Sequence, residues 1–138
     1  MWEYEYSVEA RVTPEAVWRV WSDVDGSASW NAGVEFVELR GPFAAGTEFT
    51  LKAPGRDAVT VRLAEVVEYK QFVEETEANG LVTRIYHQIE ELDPGITRLT
   101  YRVEITGPEA DELGPQLGPG LAEAFPELVT RLVEAARG

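Results

Sequence analysis

The sequence contains no cysteine, and His87 is its single histidine. Without cysteine the chain can form neither disulfide bonds nor thiolate metal sites. One histidine is too few for a multi-histidine metal site, and the acidic residues do not follow the spacing of a calcium-binding loop. No glycine-rich phosphate loop lies between a strand and a helix, because Gly114, Gly118 and Gly120 stand beside prolines. We therefore expect no metal and no cofactor.

Basic residues are scarce: 12 Lys and Arg stand against 25 Asp and Glu, which gives a formal net charge of −13. This charge opposes binding to nucleic acid and to anionic membranes. No apolar run approaches the roughly 20 residues that span a bilayer, and the first residues lack the basic and apolar segments of a signal peptide. We expect a cytoplasmic protein without membrane insertion, either a monomer or a homodimer.

The end of the chain has the clearest helical periodicity. At about 100° per residue, the large apolar side chains of residues 121–136 fall on one side. They are Leu121, Phe125, Leu128, Val129, Leu132, Val133 and Ala136. So wide an apolar face needs an apolar sheet to cover it. Pro126 lies inside this segment, which predicts a bent helix. The preceding residues 107–120, rich in Gly and Pro, are expected to be irregular or partly helical.

Strand patterns occupy most of the first hundred residues. Apolar and polar residues alternate strictly over residues 2–12. Six further strand patterns occur at residues 33–40, 47–53, 59–63, 71–77, 83–89 and 99–105. Asn79-Gly80 is a hairpin turn signal, and other short turns join the remaining strands. The chain of 138 residues is expected to form one α+β domain with a curved, seven-stranded antiparallel sheet.

Between the first two strands the sequence predicts two short helices. Thr13 can cap a helix whose first position is Pro14 and which runs to about Ser22. The residues after it form a loop or a further helical turn that ends near Trp30.

Several local motifs support a resemblance to a known family. They are Trp30 before the second strand, Gly41 with residues 46–49, residues 97–101 of a strand ending at Gly107-Pro108, and Phe125-Pro126-Glu127-Leu128 with Leu132. Over essentially the whole chain, the sequence resembles the polyketide cyclase/dehydrase-like branch of the START and pollen-allergen superfamily, also called SRPBCC. The resemblance implies a helix-grip fold, in which the sheet wraps around a long C-terminal helix and encloses a hydrophobic cavity. Because members include ligand carriers, aromatase/cyclases and protein-binding modules, the fold alone does not assign a function.

A few polar residues are candidates for chemistry inside this cavity. His87 shares the inward phase of its strand with Ile85, and Tyr101 points inward from the neighbouring strand. Either residue could instead be a packed core residue with its polar atom hydrogen-bonded. Glu74 faces inward only if Phe72, and not Val73, sets the phase of its strand.

Aromatase/cyclases, by resemblance, use an inward arginine to polarise a carbonyl. The strand arginines here, Arg62, Arg84, Arg98 and Arg102, all take the outward phase. No Ser/His/Asp triad can be identified either.

The sequence favours binding of a small hydrophobic ligand, aromatic, polyketide-like or lipid-like. The expected apolar wall consists of Phe36, Phe49, Phe72, Ile85, Leu99, Leu121, Phe125 and Leu128. The expected polar or orienting groups are Trp30, Asn31, Thr83, His87 and Tyr101.

Two alternatives stay open at this point. One is an aromatase/cyclase-type or dehydratase enzyme with His87 as general acid/base and Tyr101 as donor to a developing enolate. The other is a protein-interaction module with a filled core, whose acidic faces meet a basic partner.

Overall fold

The computed structural model describes residues 1–138 and contains one sheet with three α-helices. The strands β1 to β7 are Trp2–Ala10, Phe36–Leu39, Glu48–Lys52, Val59–Val67, Gln71–Ala78, Leu81–Asp93 and Ile96–Thr106. The helices α1 to α3 are Pro14–Ser22, Ala110–Ala122 and Phe125–Arg137, and a 3-10 helix covers Val24–Ser29.

The sheet is antiparallel throughout, with the strand order β1-β7-β6-β5-β4-β3-β2. Strands β2 to β7 form a meander. Strand β1 pairs with β7, so that β1 and β2 are the two edge strands of the sheet. A bulge between Leu63 and Glu65 bends β4, as an extra residue in one strand does. The buried side chains of α3 belong to the same apolar core as those of the sheet. The predicted α+β helix-grip fold is confirmed.

The first predicted helix is confirmed as α1. The Thr13 hydroxyl oxygen accepts a hydrogen bond of 3.2 Å from the Ala16 N–H, and Pro14 occupies the first turn. At the other end of the chain, the Arg19 guanidinium donates to the Ala136 carbonyl. This hydrogen bond ties α1 to the last turn of α3.

The prediction of a single bent helix over residues 121–136 is wrong. The helix is interrupted before Phe125, so that Leu121 belongs to α2. Pro126 lies in the first turn of α3, where its missing N–H breaks no hydrogen bond. The proline thus starts a helix instead of bending one. The preceding Gly/Pro-rich segment is the 13-residue helix α2, in spite of Pro115 and Pro119. None of these helices is long and apolar enough to cross a membrane.

Helix α2 packs closely on the start of β1 because two glycines face Trp2. A Cβ atom at Gly118 would lie 2.1 Å from the Trp2 ring, and one at Gly114 would lie 2.4 Å from the Trp2 Cβ. Both distances are shorter than any real carbon–carbon contact between side chains. The indole therefore lies against a helix surface that has no side chains at these two positions.

Candidate functional site

A cavity of about 360 Å³ lies between the sheet and the junction of α2 and α3. Sixteen of its 24 lining residues are hydrophobic. They come from the 3-10 helix and the loop after it, from the inward faces of the strands, and from the two C-terminal helices. This size and this apolar lining are typical of a small-molecule site.

Most residues that the sequence predicts to contact a ligand lie on the wall of this cavity. They are Trp30, Asn31, Phe49, Phe72, Ile85, His87, Tyr101, Leu121, Phe125 and Leu128. Trp30 and Asn31 follow the 3-10 helix, whereas Phe125 and Leu128 come from the first turn of α3. That these residues contact a ligand stays a prediction.

Three predicted wall residues lie elsewhere, which corrects the sequence interpretation. Phe36 is 49% exposed because Val37, which is 7% exposed, sets the inward phase of β2. Leu99 has no accessible surface and packs inside the core. Thr83 shares the inward phase of Ile85, but it pairs with Thr76 and Ile105 beyond the cavity wall.

His87 lies buried among aromatic rings. Its ring stacks on Phe72, with centroids 3.9 Å apart and planes 8° apart, and it meets the edge of Tyr101 at 4.8 Å. Its Nδ1 donates a hydrogen bond of 3.3 Å to the Phe72 carbonyl oxygen. Burial lowers the pKa of His87 from its usual 6.5 to about 3, and the backbone hydrogen bonds oppose this only in part. His87 is therefore neutral at pH 7.

Glu74 places a carboxyl group inside the cavity. It pairs with Leu63 on β4 and Ile85 on β6, on the same face of β5 as Phe72. The conditional prediction that Glu74 faces inward is thus confirmed. The strand phase is ambiguous in the sequence because Phe72 and Val73 are both buried.

The accessible 26% of the Glu74 side chain contributes to the cavity wall. No side-chain or backbone group of the protein hydrogen-bonds to its carboxyl, and the basic side chain within 4 Å of it is His87, whose Nε2 is 3.8 Å from Oε1. Burial raises the pKa of Glu74 from 4.5 to about 7. The group therefore changes charge near neutral pH.

Tyr101 is held by a hydrogen bond that the sequence does not reveal. Its hydroxyl oxygen accepts from Trp21 Nε1 at 3.2 Å. Burial raises the pKa of Tyr101, and the hydrogen bond from Trp21 opposes this only in part, so the phenol keeps its proton. The strand phase of Tyr101 and the helix phase of Trp21 both indicate inward positions, but neither pattern reports that the two side chains meet.

The strand arginines point away from the cavity, as predicted. Each pairs with acidic residues on the outer face of the sheet; the pairs are Arg62 and Arg84 with Glu75, Arg98 with Glu9 and Glu90, and Arg102 with Glu3 and Glu104. The cation that does line the cavity is Arg131 of α3. Helical periodicity alone places it on the polar side of that helix. Its guanidinium is 3.9 Å from Glu127 and 3.6 Å from Glu134.

Solved structures with the same fold extend over nearly the whole chain. A START superfamily protein from Mycobacterium smegmatis is 16% identical, with 98% of this chain and 97% of the other covered and a TM-score of 0.76. For the ZhuI aromatase/cyclase from Streptomyces sp. R1128, the identity is 17%, the coverage 99% and 93%, and the TM-score 0.75. Ara h 8.0201 is 12% identical, with 98% of this chain and 97% of the other covered and a TM-score of 0.78. At these identities the likeness shows the fold alone.

The sequence was compared with curated proteins and with models of protein families. No curated protein matches the sequence. Residues 1–137 match the family model described as polyketide cyclase/dehydrase and lipid transport. The chain therefore belongs to the polyketide cyclase/dehydrase and lipid transport family.

Proposed function

We propose that this protein binds a small hydrophobic molecule, aromatic or polyketide-like, in the cavity between the sheet and α3. The observation that carries the proposal is the cavity itself, about 360 Å³ of space with a mainly apolar lining. A protein interior normally leaves few voids larger than a water molecule, because each void forfeits dispersion contacts. A cavity of this size is consistent with a ligand that restores those contacts.

The aromatic composition of the wall favours a planar ligand. Aromatic side chains line the cavity from several directions, among them Trp30 from the loop, Phe49 and Phe72 from the sheet, and Phe125 from α3. Aromatic rings gain from stacked or edge-to-face contacts beyond their burial of area. A planar ring system can make such contacts with several of these side chains at once.

The two alternatives receive less support than binding. A cyclase or dehydratase with His87 as general acid/base needs an imidazole that exchanges protons near pH 7, whereas burial lowers the pKa of His87 to about 3. The strand arginines that would polarise a carbonyl are committed to outer-face ion pairs. An interaction module with a filled core is disfavoured by the size of the cavity.

Two cavity-filling variants and a matched control test the proposal. Leu128→Trp and Ile85→Phe add bulk at wall positions on different elements. Leu117→Trp makes the first change on α2 at a residue that is 53% exposed and outside the cavity. Melting temperatures and circular dichroism establish that each variant folds.

Titration calorimetry against fatty acids, sterols, flavonoids and polycyclic aromatics then measures binding. We expect saturable one-to-one binding of an aromatic compound, weakened about tenfold or more by each filling variant and unchanged by Leu117→Trp. The proposal fails if no compound class binds saturably, or if both folded filling variants bind as tightly as the wild type.

A further inference from the structure

The floor of the cavity, formed by Glu74 of β5 and His87 of β6, presents two hydrogen-bond acceptors, Glu74 Oε1 and His87 Nε2. No protein group donates a hydrogen bond to either atom. Because a carbonyl oxygen can only accept, the hydrogen bond from His87 Nδ1 to Phe72 places the imidazole proton on Nδ1. In neutral His87 the other nitrogen, Nε2, then carries a lone pair. Glu74 Oε1 lies 3.8 Å from that nitrogen, too far for a direct hydrogen bond, and no other protein donor reaches the carboxyl. A group with at least two N–H or O–H hydrogens, placed between the two atoms, would satisfy both.

The charges around the cavity distinguish between kinds of ligand. The titratable or charged groups that line it are Glu74, His87, Tyr101, Glu127 and Arg131. The Arg131 charge lies near two carboxylates, Glu127 and Glu134, so this group of three carries a net negative charge. The whole chain carries −13. An anionic ligand would therefore meet like charge in the cavity and around it, whereas a cation would meet opposite charge.

We propose that the polar group of the ligand is an amine, held at the cavity floor by Glu74 and His87. The proposal rests on the hydrophobic binding proposed above and specifies its chemistry. A primary ammonium has three N–H donors and no acceptor, so it can donate to Glu74 Oε1 and to His87 Nε2 together. An alcohol has a single O–H donor and leaves one acceptor unserved. A carboxylate has none and is repelled by ionised Glu74.

The charge state of Glu74 gives the proposal a pH dependence. Glu74 has a pKa of about 7, so the fraction that can pair with an ammonium falls below that pH. Over pH 6 to 8 His87 stays neutral, and Tyr101 keeps its proton because its pKa is raised. The other charged groups at the cavity are Arg131 and the carboxylates beside it, Glu127 and Glu134. Amine affinity should therefore decrease as Glu74 is protonated.

Three probes that differ only in their polar group test the proposal by calorimetry: 1-naphthylmethylamine, 1-naphthalenemethanol and 1-naphthoate. At pH 8 we expect the amine to bind at least about tenfold more tightly than the alcohol, since a charge-assisted hydrogen bond is worth more than a neutral one. The naphthoate should bind most weakly. Between pH 8 and pH 6 the amine affinity of the wild type should fall about tenfold, as the ionised fraction of Glu74 falls.

A pair of isosteric variants separates the site from general attraction. Glu74→Gln should reduce amine affinity at pH 8 to about that of the alcohol and remove the pH dependence of amine binding. Glu77→Gln makes the same change in net charge on the same strand, at an exposed residue outside the cavity wall, and should alter neither affinity.

The outcomes distinguish the two proposals. If no probe binds saturably, hydrophobic binding itself fails. If the alcohol or the naphthoate binds the wild type as tightly as the amine does, or if Glu74→Gln and Glu77→Gln have equal effects, the amine proposal is overturned while hydrophobic binding stands. The pH series on the wild type needs no variant, and a pH-independent amine affinity would also overturn the amine proposal.

Discussion

Trp21 Nε1 donates a hydrogen bond of 3.2 Å to the Tyr101 hydroxyl, across 80 residues of sequence. This hydrogen bond joins α1 to β7 at the cavity wall. Trp21→Phe removes the donor, and we expect it to lower the free energy of unfolding by about 2 to 4 kcal/mol through lost packing and a lost hydrogen bond.

Urea denaturation measures this effect. Trp30→Phe is the control, because Trp30 also lines the cavity but makes no side-chain hydrogen bond, and it should cost less. In a double-mutant cycle, Trp21→Phe and Tyr101→Phe should couple by roughly 1 kcal/mol. Additive effects would mean that the hydrogen bond contributes nothing to stability.

Two glycine substitutions in α2 should have opposite effects on the stability of the protein. A Cβ at Gly118 would lie 2.1 Å from the Trp2 ring, so Gly118→Ala must displace the helix or the indole and should destabilise by about 1 to 3 kcal/mol. A Cβ at Gly120 meets no atom within 4 Å, so Gly120→Ala should stabilise by up to about 1 kcal/mol through helix propensity. Thermal denaturation of both variants provides the comparison. Equal effects would show that α2 does not pack on Trp2 as described.

The sheet pattern was predictable because one face of each strand must be buried, and a period of two reveals that face. Phase became ambiguous where a strand is covered on both sides, as at Phe72 and Val73, or where it is short, as at Phe36. The start of α3 was misplaced because Pro126 can either bend a helix or begin one. Periodicity does not choose between these two positions.

For the candidate site, the sequence predicted only which side chains lie on the inward face of the sheet. Strand phase placed His87 and Tyr101 inward, but their ionisation depends on desolvation by side chains from other elements. The contact between Trp21 and Tyr101, and the position of Arg131 at the cavity, depend on how helices pack on the sheet. Such three-dimensional relationships leave no periodic signal in one sequence.

Glu74 should make the protein less stable as pH rises toward 7. Its pKa is about 7 in the folded state against 4.5 when unfolded, so the folded state binds more protons between these values. The contribution of Glu74 to the free energy of unfolding therefore decreases with rising pH in this window, by roughly 3 kcal/mol in total. Glu74→Gln should remove this decrease and be more stable than the wild type at pH 8. If Glu74→Gln were less stable than the wild type at pH 8, this result would contradict the claim that the Glu74 carboxylate has no hydrogen-bond partner in the protein.

His87 should have the opposite pH dependence. Its pKa is about 3 in the folded state against 6.5 when unfolded, so the unfolded state binds more protons between these values and stability increases with pH there. Between pH 5 and 6 the contributions of Glu74 and His87 have opposite signs and nearly cancel.

Substituting either Glu74 or His87 should reveal the pH dependence of stability that the other residue contributes. Urea denaturation at pH 5 and 6 should show stability increasing with pH in Glu74→Gln and decreasing with pH in His87→Gln, each by about 1 kcal/mol relative to the wild type. The comparison uses the slope with pH, so a constant loss of packing in His87→Gln does not affect it. Parallel pH profiles for all three proteins would contradict the assigned ionisation states.

The location of a bound aromatic molecule tests the central claim most directly. In a complex with a naphthalene derivative, intermolecular nuclear Overhauser effects should connect ring protons of the ligand with methyl groups of Leu63, Ile85 and Leu128 on the cavity wall. Contacts confined to exposed methyl groups such as those of Val59 and Val67, with none to the wall, would contradict the account.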